Sequence, residues 1–167
     1  DDHLGEGGPK AKFQANITAI KLLKYLEETT GQATPEQQKI LSRYVGWGGL
    51  ADAFDPEKPA WAAEYAQLKE LLTRSEYAAA RGSTLNAHYT SPTVIKAIYE
   101  AVGRMGFETG NILEPSCGVG NFFGMLPEKL RNSRLYGVEL DSISGRIAKQ
   151  LYPKADITVA GFETTDR

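Results

Sequence analysis

Between residues 16 and 30, apolar side chains recur at Ile17, Ile20, Leu22, Leu23 and Leu26, close to the helical period. The pattern predicts a helix with Asn16 as its N-cap and Gly31 as its stop. Residues 34–37, Thr-Pro-Glu-Gln, carry a second start signal. Thr34 caps, Pro35 suits the first helical position, and Gln37 stands where a capping box needs it. This second helix is expected to run to about Val45, where Gly46-Trp47-Gly48-Gly49 ends it with Trp47 as a packing anchor. Asp55-Pro56 and Lys58-Pro59 mark a loop. A third helix is expected over 61–72, with Trp61, Tyr65, Leu68, Leu71 and Leu72 on one side. A short Ala-rich fourth, over 73–81, is capped by Thr73 or Ser75. Residues 16–82 thus read as an all-helical region without internal repeats. Residues 1–15 read as a loose N-terminus.

The pattern changes near Ser83. A helix opens at Ser91-Pro92 and runs to about Met105, with Val94, Ile95, Ile98 and Val102 as its apolar face. Three short apolar runs follow, over 111–114, 135–139 and 155–159, with a Gly-rich turn and helix after the first and a helix over 142–151 after the second. Strands alternating with helices at this spacing predict an α/β fold with a parallel sheet of about three strands. Ligands of such sheets bind at the carboxyl ends of the strands.

Composition narrows the class. The chain has 167 residues, 41% of them hydrophobic and 24% charged, which fits a globular protein. No apolar run approaches the ~18 residues of a membrane span. One cysteine, Cys117, rules out an internal disulfide and makes a reducing, cytoplasmic setting the expectation. His3 and His88 with that cysteine form no recognisable metal-binding spacing. A formal charge of −2 counts against this segment being the main grip on a nucleic acid.

The candidate chemistry sits at the strand ends. The first strand delivers Glu114, followed by Pro115-Ser116-Cys117-Gly118-Val119-Gly120-Asn121-Phe122. Gly118 and Gly120 let backbone approach a ligand with no side chain in the way, and the helix that follows aims its first amides at it. The second strand ends at Glu139-Leu140-Asp141, where a carboxylate roughly 20 residues past the glycines can take both hydroxyls of a ribose. After the third, Phe162 can lie against an adenine ring. By itself the Gly-x-Gly element is equally a tight strand-to-helix turn. A dinucleotide site requires Gly-x-Gly-x-x-Gly, but Phe123 holds the third position. Glu114 beside the loop favours a cationic ammonium over a pyrophosphate. Cys117 has no neighbouring base and reads as a small loop residue.

The stretch 86–162 resembles class I methyltransferases, specifically the adenine-specific DNA methylases whose cofactor region comes first. Asn86-Ala87-His88-Tyr89-Thr90-Ser91-Pro92 resembles the motif preceding their glycine loop, Glu114-Pro115-x-Cys117-Gly118-x-Gly120-x-Phe122 their glycine motif, and Val138-Glu139-Leu140-Asp141 their ribose motif. The resemblance implies a partial Rossmann-like class I methyltransferase fold over 83–167 that binds S-adenosyl-L-methionine. Tyr89 and Thr90 would line its methionine end. Glu114, Pro115, Gly118, Gly120 and Phe122 would form the loop beneath it. Glu139 and Leu140 would hold the ribose, and Phe162 the adenine. His88 is expected to be structural.

Arg43-Tyr44-Val45-Gly46-Trp47-Gly48-Gly49 and residues 83–92 further resemble the large methylase–helicase proteins of phages and conjugative elements. That implies DNA as a partner through the full-length protein, and a helicase region downstream in the same polypeptide. Two departures stand out. Gly161 replaces an Asp that many adenine methylases use to hold the cofactor's adenine amine. The Asn/Asp-x-Pro-Phe/Tyr motif, which in that family binds the flipped target base, is absent from the sequence. The chain is therefore expected to be a binding half, with no catalytic residue, no metal ligand and no methyl transfer of its own. The alternative is a non-catalytic methyltransferase-like module that positions DNA or a helicase partner, with residues 16–82 as its distinctive part.

Overall fold

A computed structural model describes residues 7–86 and 89–166; His3, Ala87 and His88 lie outside the described residues. The chain divides after residue 88 into two compact units. No helix among the described residues is long and apolar enough to cross a membrane.

The first unit is helical. Its first helix, α1, is Pro9–Glu28 and begins well before the expected start at Asn16. Pro9 takes a first-turn position, where a missing N–H costs nothing. The expectation of a loose terminus is therefore corrected for residues 9–15, and Phe13 belongs to the core. Asn16 is no cap. It is fully buried inside α1, where its Nδ2 donates to Gly46 O at 2.6 Å and its Oδ1 accepts from Val45 N at 2.9 Å. Because the period of the buried positions Phe13, Asn16, Ile17, Ile20 and Leu23 is unbroken through Asn16, the polar residue lies on the core face rather than at an end. At the other terminus Gly31 N–H reaches Leu26 O at 2.8 Å and Thr30 N–H reaches Glu27 O at 3.2 Å. This double closure puts Thr30, not Gly31, in the left-handed conformation, at φ +51°.

Helix α2, Pro35–Leu41, has the predicted capping box: Gln37 N–H donates to Thr34 Oγ1 and Thr34 N–H to Gln37 Oε1. It stops four residues short of the expected Val45. The backbone of Val45 and Gly46 is bound to Asn16 instead, and Gly46 turns at φ +70°. Trp47 is buried as expected, edge-on to Phe13, Tyr44 and Phe54. Short 3-10 turns at Ala51–Phe54 and Pro59–Trp61 lead to α3, Ala62–Leu71. Thr73 then caps α4, Arg74–Ser83, in a second capping box with Glu76. The same Glu76 carboxylate receives Lys24 of α1 at 2.8 Å.

The second unit alternates helices and strands. Helix α5, Pro92–Arg104, is followed by β1, Asn111–Glu114, the single turn α6, Asn121–Gly124, β2, Arg134–Glu139, α7, Ser142–Leu151, and β3, Asp156–Val159. The three strands are parallel in the order β1-β2-β3, with Glu114 opposite Gly137 and Glu139 opposite Val159. The register aligns the carboxyl ends of all three strands on one edge. The α5 face differs from its expectation: Ile95 and Tyr99 point inward, while Val94 and Ile98 are exposed. Ile95 and Tyr99 pack with Leu130, Phe107, Phe122, Met125 and Leu126. A second cluster joins Cys117, Phe123, Ala148 and Ile157.

Helix α7 approaches the sheet closely because it carries Gly145. A Cβ there would stand 2.8 Å from Val159 Cγ2. Gly137 in the middle of the sheet has the same role toward the loop after β1, since a Cβ would stand 2.9 Å from Cys117 Sγ and 3.2 Å from Phe123 Cε2. Neither glycine has a positive φ, so close packing rather than backbone conformation requires them.

Candidate functional site

The loop after β1 is built by backbone pairing that continues beyond the strand. Cys117 N–H donates to Val138 O at 2.9 Å, and the next amide, Gly118 N–H, donates to Glu139 Oε2 at 2.7 Å. The second oxygen, Oε1, accepts from Asp141 N–H at 2.8 Å. Gly118 and Gly120 have φ of +55° and +89°, which other residues adopt only with strain. Gly120 N–H closes the turn on Cys117 O at 2.8 Å. The Tyr152 ring packs behind Gly120 and Gly124, filling the space where their side chains would stand.

The helix expected to aim its amides at a ligand is only one turn long. Its dipole is correspondingly small, so the loop's own N–H groups and the surrounding carboxylates set the electrostatics. Glu114 is half-buried, and burial pushes its carboxyl above the ordinary value. A hydrogen bond from Ser116 N–H opposes that shift and the nearby charge of Glu139 adds to it. Cys117 is buried, and its thiol is pushed up to about 12 by that burial and then by Glu139 and Glu114. It is a thiol at any physiological pH, inert as a nucleophile.

Tyr89 lies over the loop, its Cε1 3.5 Å from the position of a Gly118 Cβ. Two-fifths of the residue stays exposed, yet protein surrounds its hydroxyl. Burial raises the phenol above its ordinary value; a hydrogen bond with Ser144 works against this, and the charges of Asp141 and Glu139 add to it. Tyr99 hydroxyl donates to Phe122 O at 2.6 Å, and burial, with Glu114 nearby, pushes that phenol up to about 12.

Of the residues singled out from sequence, the fold brings Tyr89, Gly118, Glu139 and the half-buried Glu114 to one end of the sheet, with Gly120 completing the turn. Thr90 and Pro115 are exposed beside them. Leu140 and Phe162 expose apolar side chains in the loops after β2 and β3, 76% and 46% accessible. Phe122 faces the α5 cluster, edge-on to Tyr99, so its side chain supports the loop from within. Sequence reasoning missed Tyr99, Ser144, Tyr152, Gly137 and Gly145. The one signal available was the glycine in a strand and in a helix interior, which marks close approach.

The arrangement can hold a cation-bearing ligand. Two carboxylates converge on a loop that gives each of them one amide, Ser116 N–H to Glu114 and Gly118 N–H to Glu139, and exposed apolar surface adjoins it. Such a set repels an anion unless one acid is protonated.

No family model matches the chain, and no solved structure matches it. Two characterised proteins are similar to it. The "Defense against restriction protein B" of Escherichia phage P1 is 26% identical over 159 residues, which is 95% of this chain and 6% of that protein. The "Type II methyltransferase M.CvrRI" of Paramecium bursaria Chlorella virus XZ-6E is 37% identical over 78 residues, 47% of this chain and 20% of that protein. The chain thus spans a small part of the length of each.

Proposed function

We propose that the α/β unit binds S-adenosyl-L-methionine as the cofactor part of a DNA methyltransferase that modifies the exocyclic amine of adenine, within a larger polypeptide that also carries a helicase region. The observation that carries this reading is the joining of Gly118 N–H to the Glu139 carboxylate at the ends of β1 and β2. That contact joins the glycine turn to a strand-end carboxylate of the kind that takes ribose hydroxyls. Similarity to a type II methyltransferase over 78 residues supports the same class. Glu114 attracts the ammonium of the methionine part, Tyr89 and Thr90 border it, Glu139 takes ribose hydroxyls, and Leu140 and Phe162 flank the adenine. When bound, the cofactor supplies an electrophilic methyl group. This chain's residues orient it, and the groups that hold the target amine belong elsewhere in the polypeptide.

Calorimetric titration of the full-length protein with S-adenosyl-L-methionine is the test. Saturable binding that Glu139→Ala weakens at least tenfold is expected, given the two hydrogen bonds a ribose offers a carboxylate. No binding by the full-length protein overturns the reading. Mass spectrometry of nucleosides from treated DNA then separates N6-methyladenine from other products.

A second reading is favoured by one observation: similarity to the phage P1 protein covers 95% of the chain, helical unit included. A methyltransferase-like module that positions DNA or a helicase partner would need both units. It predicts DNA retention by the full-length protein with no methylated product.

A further inference from the structure

Helix α6, Asn121–Gly124, is a single turn. A first turn fixes several dihedrals for one hydrogen bond, so it does not hold its conformation unaided. Its bond from Gly124 N–H to Gly120 O, at 3.0 Å, depends on what packs around it. Two tyrosines from different helices supply that support. On one side the Tyr99 hydroxyl of α5 donates to Phe122 O at 2.6 Å. On the other lies the ring of Tyr152, the residue that caps the end of α7.

The Tyr152 ring spans the whole turn. A Cβ at Gly120 would stand 2.7 Å from its Cδ2, and one at Gly124 would collide with its hydroxyl oxygen. The two glycines are needed for different reasons. Gly120 has φ +89°, so conformation alone demands glycine there. Gly124 has no positive φ, and only the Tyr152 hydroxyl denies it a side chain. The rest of the ring leaves room, since Cζ and Cε1 stand 3.5 and 4.0 Å from the same position, ordinary van der Waals separations. The ring is not free to swing aside. It packs edge-on to Phe123, with 5.8 Å between centroids, and against the cluster of Cys117, Ala148 and Ile157.

We propose, resting on the cofactor reading above, that Tyr152 is a positioning residue for the cofactor and acts through the turn of residues 120–124. That turn continues the loop whose Gly118 N–H bonds Glu139. Gly120 N–H returns to Cys117 O at 2.8 Å, so a shift of α6 passes directly to Gly118 and from there to the strand-end carboxylate. Tyr99 fixes the turn at a carbonyl in its middle, and Tyr152 fixes it at both ends. The part of Tyr152 is to set where the loop's backbone stands, not to touch the ligand.

The test titrates the full-length protein with S-adenosylhomocysteine and follows urea unfolding of the same samples. Gly124→Ala is expected to weaken binding about tenfold, because the added methyl meets the hydroxyl and displaces the turn. Tyr152→Phe alone should bind as the unsubstituted protein does. Gly124→Ala combined with Tyr152→Phe should regain the lost affinity, since only the hydroxyl obstructs the methyl. Tyr152→Leu, which leaves residue 124 untouched and removes the ring, should also weaken binding in protein that the unfolding curves show to be folded. Unchanged affinity in Gly124→Ala or Tyr152→Leu, with only the unfolding midpoint lowered, is the mark of packing alone and overturns the proposal. Failure of the double variant to recover affinity overturns it as well. Absence of binding by the unsubstituted protein overturns the cofactor reading itself, and the positioning role with it.

Discussion

Gly118 N–H donates to Glu139 Oε2 at 2.7 Å, joining the loop after one strand to the end of its neighbour. The Glu139 carboxylate also receives Asp141 N–H, so one side chain holds two backbone turns. Glu139→Ala is expected to lower stability by about 2 kcal/mol, the scale of hydrogen bonds to a charged acceptor. Glu139→Gln should cost less, about 1 kcal/mol, since one amide oxygen still accepts while the NH2 faces a donor. Urea unfolding of the three proteins at one pH checks the order.

Glu114 has the opposite balance. Burial first, and the Glu139 charge after it, raise its carboxyl above the unfolded value. The folded state then binds the proton more tightly than the unfolded state. Stability contributed by this group is full below the unfolded pKa and is lost as pH rises through the folded one. Glu114→Gln should therefore unfold at a higher temperature than the unsubstituted protein at pH 7, with the difference shrinking as pH falls toward 4. The same substitution should weaken cofactor binding. A melting series over pH, set beside a titration at pH 7, measures both effects.

Gly137→Ala would introduce a methyl group 2.9 Å from Cys117 Sγ and 3.2 Å from Phe123 Cε2, both of them buried. Overpacking of this kind costs about 1–3 kcal/mol. Cys117→Ala in the same chain should recover part of that loss, because the two sites share one space. Denaturant midpoints for the two single variants and the double variant give the coupling, and strictly additive losses would contradict the contact.

In the helical unit, Asn16 carries two buried hydrogen bonds to the backbone at Val45 and Gly46. Asn16→Ala leaves a donor and an acceptor unpaired and is expected to cost about 3 kcal/mol. Asn16→Asp keeps the acceptor for Val45 N–H but sets a second carboxylate oxygen against Gly46 O. Its loss should be larger at pH 7 and diminish in acid, where a protonated Asp can donate. Chemical denaturation at pH 5 and pH 7 distinguishes the two substitutions.

The order of elements was legible in the sequence because local rules decide it. Thr34 with Gln37, Ser91 with Pro92, and short apolar runs between helices each act within a few residues. The glycines at 118 and 120 and the acids at 114 and 139 were legible for the same reason: a turn after a strand needs positive φ, and the acids end apolar runs. Other features depended on partners distant in the chain. Asn16 looked like a cap, because a polar residue before an apolar run has that meaning locally; its true partners are 29 and 30 positions away. The end of α2, the inward turn of Tyr99, and the need for glycine at 137 and 145 likewise follow from what packs against them.

Sequence alone determined a helical region followed by a parallel α/β unit with acids and glycines at its strand ends. Local conformational preference and periodicity suffice for that. Only the tertiary structure decided that Glu139 closes on Gly118, that Cys117 is buried behind the loop, and that Gly137 and Gly145 make room for what packs against them. Each depends on a distance between atoms set by strand register and chain reversal, which spacing along the chain does not encode.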